Sequence, residues 1–79
     1  QTIFNVYPNP AQKNIVLQLG LERAYLEIFD ISGHLVLSSQ VVNEQAIDVS
    51  ELSKGSYFLQ LKSSVTSPII LYRKIILKS

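Results

Sequence analysis

The sequence contains no cysteine, so neither a disulfide nor a thiolate metal centre can hold its 79 residues together, and the core has to do so alone. It contains no methionine, so position 1 is not a translational start, and residues 1–79 are expected to be a single domain excised from a longer secreted protein. One histidine and six dispersed carboxylates make no transition-metal ligand set. The three glycines, at positions 20, 33 and 55, make no phosphate-cradling loop, and no cofactor motif is present. No apolar run approaches the roughly 18 residues of a membrane span, and the N-terminus lacks the charged-then-apolar pattern of a signal peptide, so no direct membrane insertion is expected. Seven basic residues against six acidic ones, mostly scattered, give no electrostatic footprint for nucleic acid.

What is present is short runs of β-branched and aromatic residues in period-2 alternation, with no apolar stripe at helical spacing. Strands are expected at Ile3–Tyr7, Asn14–Leu19, Ala24–Asp30, His34–Ser39, Ala46–Val49, Ser56–Lys62 and Ile69–Lys78. The last should bend near Arg73 and put Ile75 and Leu77 in the core. Ile15, Leu17 and Leu19, then Ala24, Leu26 and Ile28, then Tyr57, Leu59 and Leu61, read as inward-facing sets. Gln40–Gln45 reads as a polar connection, and SELSKG (50–55) as a helical turn or tight loop anchored by Leu52 and ended by Gly55. Asp30-Ile31-Ser32-Gly33 fits a hairpin turn, with the aspartate accepting backbone donors and Gly33 supplying positive φ. Seven strands at roughly ten-residue spacing predict an all-β fold, a small seven-stranded immunoglobulin-like β-sandwich.

Tyr-Pro-Asn-Pro, residues 7–10, interrupts the first strand. Proline lacks the N–H that a ladder needs and keeps the preceding residue extended, so this stretch reads as a blunted edge where the chain leaves one sheet for the other.

Asp30, Ser32 and His34 are the residue types of a nucleophilic triad. They are successive turn residues, however, which seldom place a base between nucleophile and acid, and no Gly-x-Ser-x-Gly elbow is present; His34 reads as a half-exposed strand residue. No acidic loop is spaced for calcium, which leaves a turn-bound ion at Asp30 or Asp48 as the one metal alternative. Tyr25 and Phe29, on the outward face of one strand, are the candidate pair for a sugar-binding platform. The residues by themselves describe a small non-enzymatic β-sandwich.

Four motifs in order are more specific. VYPNP near the start, IFDISGHLV in the middle, IDVSELSKGSYFLQL after it and KIILKS at the end together resemble the type A C-terminal sorting domain of the type IX (Por) secretion system. The resemblance covers nearly the whole chain. It assigns Tyr7, Pro8, Asn9 and Pro10 to the opening motif, Asp30 and Gly33 to the central turn, Leu52, Gly55 and Tyr57 to the loop-to-strand motif, and Lys74, Ile75, Ile76, Leu77 and Lys78 to the terminal one. Asp30, Gly33, Leu52 and Gly55 read as architectural and Tyr57 as a core tyrosine with its hydroxyl near the rim. Ile69–Tyr72 departs from the family pattern in being more apolar.

The resemblance implies a seven-stranded sandwich of Gram-negative bacteria, fused behind an unrelated cargo. That cargo reaches the periplasm by its own signal peptide and is directed by this domain to the outer-membrane type IX translocon. A sortase-like protease then removes the domain, and the cargo is anchored at the cell surface or released outside. The chain would be that protease's substrate, with no catalytic residue and no cofactor of its own. The terminal segment is the best candidate for direct contact, because a C-terminal edge strand offers unpaired backbone groups for strand addition. The competing class is a fibronectin-like spacer or carbohydrate-binding module of a cell-surface enzyme.

Overall fold

The structure, a computed structural model, describes residues 4–64, 66 and 69–79. The expected strand start at Ile3, and Val65, Ser67 and Pro68 of the expected 63–68 loop, lie outside the described residues. The described chain is all β. Its strands are β1 (Asn5–Tyr7), β2 (Asn14–Gln18), β3 (Arg23–Asp30), β4 (Leu35–Val42), β5 (Gln45–Asp48), β6 (Gly55–Lys62) and β7 (Ile70–Lys78). They form two antiparallel sheets, one in the order β1-β2-β5 and the other β4-β3-β6-β7.

The sheets pack because alternation puts one apolar set from each strand between them. Ile15 and Leu17 of β2, Leu26 and Ile28 of β3, Leu59 and Leu61 of β6 and Ile76 of β7 are all essentially inaccessible to solvent. No buried polar or charged residue interrupts this set among the described residues, so the core needs no hydrogen-bond network to satisfy it.

Three expectations are corrected. Gln40–Gln45 is not a polar connection: β4 runs on to Val42, β5 begins at Gln45, and only Asn43 and Glu44 turn. Val41, fully buried between exposed Gln40 and Val42, is the alternation that a polar reading hides. This turn is where the chain changes sheets. It is fixed by Glu44 N–H donating to the Leu17 carbonyl at 2.8 Å and Leu19 N–H donating to Asn43 Oδ1 at 2.7 Å.

In β7 the irregularity falls at Leu71, not Arg73, because Leu61 pairs with Tyr72 and Lys62 with Ile70, leaving Leu71 as the extra residue. Beyond that bulge it is Ile76 that enters the core; Ile75 and Leu77 are 58% and 46% exposed on the outer face. Third, His34 precedes β4 and is exposed, not half-exposed within a strand.

The proline segment does switch sheets. After Tyr7 the chain leaves the three-stranded sheet, and Ala11 makes a parallel bridge to Lys78 on the free edge of β7 before β2 returns to the first sheet. Both Tyr7–Pro8 and Asn9–Pro10 peptide bonds are cis.

Candidate recognition site

Each sequence motif builds a local feature first. In the central turn, Gly33 N–H donates to the Asp30 carbonyl and Asp30 N–H to that of His34, both at 2.9 Å, with Gly33 at φ +90°. The Asp30 carboxylate caps the turn: Oδ1 accepts the N–H groups of Ser32 and His34, again at 2.9 Å. In the loop before β6, Leu52 N–H donates to the Val49 carbonyl at 3.0 Å and its side chain packs against the core. Gly55, at φ +148°, opens β6, a backbone conformation that disfavours any side chain. Tyr57 is buried, and its hydroxyl donates to the Ser53 carbonyl at 2.6 Å, tying strand to loop.

The register then brings these features together. Asp30 pairs with Tyr57 and Tyr57 with Ile76, while Gly55 pairs with Lys78 and Lys78 bridges to Ala11. Four motifs spread along the whole chain therefore meet at one end of the four-stranded sheet.

The opening and terminal motifs are joined by direct bonds. Leu77 N–H donates to Asn9 Oδ1 at 2.9 Å, Ala11 N–H to the Leu77 carbonyl at 2.7 Å, and Ser79 N–H to the Ala11 carbonyl at 2.8 Å. Ser79 Oγ adds a bond to that carbonyl at 3.1 Å. Pro8 and Pro10 flank this clasp, exposed. Tyr7 points elsewhere, its hydroxyl donating to Glu44 Oε1 at 2.9 Å; that bond, with partial desolvation and the glutamate's charge behind it, raises the phenol's pKa above 10.0.

A family model described as "Secretion system C-terminal sorting domain" matches residues 5–78. The chain belongs to that family. No curated protein and no solved structure gives a significant match. The match spans every strand and includes Asn9, Ala11, Leu77 and Lys78 of the clasp, so it is not confined to the terminal segment.

Other chemistries find little support in the sorting domain. His34 Nδ1 lies 3.5 Å from Asp30 Oδ2, but Oδ1 of the same carboxylate is engaged by the turn's backbone, and the imidazole is open to solvent. At the other candidate calcium position, Asp48 Oδ1 accepts from Ser50 N–H at 2.9 Å and Ser50 Oγ at 2.6 Å, so it too is a turn cap. Tyr25 and Phe29 are no continuous platform. Between their positions on the outer face lies Glu27, bonded to Gln60 at 2.7 Å and ion-paired with Lys62 at 3.4 Å.

The aromatic neighbour that sequence reasoning missed is Phe58, 47% exposed and directly opposite Phe29. With Leu35 and Ile75 these two form one outward row crossing all four strands. Only the cross-strand register reveals it. Phe29, Phe58, Arg73 and Ile75 also line a shallow groove of about 500 Å³ on this face.

The turn carboxylates carry a pH signature. Hydrogen bonds hold both below their ordinary 3.8, Asp30 chiefly through the His34 N–H and Asp48 chiefly through the Ser50 hydroxyl. A carboxyl depressed in the folded state stabilises the fold above its unfolded pKa and loses that contribution as pH falls through the folded value. Asp30→Asn keeps an acceptor but cannot ionise. The melting temperature of the parent is expected to exceed that of Asp30→Asn most near neutrality, the gap shrinking below pH 3.8. A gap that stays constant down to pH 2 would mean that the charge contributes nothing.

Proposed function

We propose that this chain is an address label: the C-terminal segment of a longer cargo protein, recognised in the periplasm by the type IX translocon, carried across the outer membrane and then cut off by a sortase-like protease. The chain acts as substrate in both steps and supplies no catalytic group. The observation that carries this reading is the clasp. Asn9 and Ala11 of the opening motif fix Leu77–Ser79 of the terminal motif, so residues far apart in sequence present one composite surface at the end of an edge strand. A spacer needs no such assembly at one end; a label read by a receptor does.

A reporter carrying a signal peptide and this chain at its C-terminus is expected to appear outside a type IX-competent cell, while the reporter alone stays in the periplasm. Lys74→Glu with Lys78→Glu tests what is read. Both lysines are half-buried, so the folded state of the variant is checked by proteolysis of the periplasmic fraction. Folded but retained reporter signifies side-chain readout, and normal export signifies backbone readout. Retention of the parent fusion in a competent host would end the sorting reading.

A further inference from the structure

The free edge of β7 is open along only part of its length, and the open part selects what can pair with it. Leu77 directs both its N–H and its C=O outward, to Asn9 and Ala11. Backbone groups alternate along a strand, so Arg73 and Ile75 direct theirs outward as well. Among the described residues no backbone group outside the ladder bonds to either. The clasp closes the edge from Leu77 onward and the bulge at Leu71 breaks its regularity before Tyr72. The usable window is Tyr72–Ile76.

Lys74 stands in the middle of that window. It pairs with the buried Leu59, which sets its side chain on the inner face of the sheet, and it is half-buried. It makes no ion pair among the described residues. An inward-pointing lysine on an edge strand repels ordinary strand addition, because an incoming apolar strand would cover the ammonium group without a counter-charge. On the outer face the same window presents Ile75, the last member of the Leu35-Phe29-Phe58-Ile75 row.

We infer that the β7 window is a docking edge for an extended polypeptide strand of the pattern apolar–acidic–apolar, paired antiparallel with Arg73–Ile75. The strand's acidic side chain lies against Lys74, in the non-hydrogen-bonded pair where side chains come closest. The apolar side chain opposite Ile75 prolongs the exposed row, and the other lies opposite Arg73. The lysine thus turns away generic strands and admits one that carries the opposite charge. This inference rests on the reading of β7 as the surface that the secretion machinery meets, and it names the chemistry of the partner there.

The test presents such a strand within the molecule. Ser-Thr-Val-Glu-Val-Thr-Ser is joined to Ser79 by a flexible Gly/Ser linker, which raises its effective concentration to about the millimolar range. Amide hydrogen exchange of Arg73 and Ile75 is then followed by NMR, with the linker alone as reference. The Glu probe is expected to slow both amides at least tenfold. A probe with Lys in place of Glu should protect them about two- to fivefold less, the order of one cross-strand charge pair. In Lys74→Glu the ranking of the two probes should invert.

Ile75→Pro removes an outward N–H but no bond to β6, and should abolish protection at Arg73, whereas Ile75→Thr should retain it. Unchanged exchange with the Glu probe, or equal protection by both probes, overturns the inference. No secretion machinery is present in this assay. Export of the reporter without protection here would sink the docking edge alone, and protection without export would sink the sorting reading on which its biological role rests.

Discussion

Leu26→Ala is expected to lower the unfolding free energy by about 2–5 kcal/mol, the usual cost of emptying a leucine site that cannot collapse. The stability it draws on is about 4–12 kcal/mol for a chain of this length. Leu26 is wholly buried on β3, between Ser39 of β4 and Leu61 of β6, so the void opens inside the four-stranded sheet, on its core face. No disulfide limits the damage. Urea denaturation followed by far-ultraviolet circular dichroism measures the change. A loss under 1 kcal/mol would mean that the two sheets do not share one close-packed core.

The second large effect separates three adjacent residues. Ile76→Ala should cost a comparable 2–5 kcal/mol or so, whereas Ile75→Ala and Leu77→Ala should each stay within about 0.5 kcal/mol. Ile76 is 1% exposed opposite Tyr57, while its two neighbours face outward. The same denaturation series decides the matter, and equal costs at all three positions would refute the strand's phase. This asymmetry bears on secretion experiments: any cut before Ile76 removes a core residue, so lost export then reports unfolding. Ile75 and Leu77 can be altered to probe recognition itself.

That phase was the least legible feature of the sequence. In β3 and β6 apolar residues alternate with Glu27, Gln60 and Lys62, and the inward set follows at once. In β7 Ile75, Ile76 and Leu77 are consecutive, and the bulge at Leu71 shifts the pairing, so alternation alone cannot say which residue points inward. The end of β4 is hidden for the opposite reason, since Gln40, Asn43, Glu44 and Gln45 read as a polar connection although Val41 among them is buried. Turn chemistry survived well: Asp30 with Gly33, and Leu52 with Gly55, act within a few residues of one another, and local rules suffice. The clasp and the Phe29–Phe58 pair are contacts through space between distant residues, and one sequence carries no register.

The bond from Leu77 to Asn9 joins residues 68 apart in the chain. Closing a span of that length costs about 4 kcal/mol of chain entropy plus a constant, recovered only when the strands between have docked. In a chain synthesised or threaded N-terminus first, the proline segment waits unlocked while every other strand arrives. A molecule stalled just short of Leu77 would hold a nearly complete sandwich yet leave Ala11 without its partner. In such a chain fastening cannot precede the arrival of Leu77, and the fastened state records that the strand carrying it is in place.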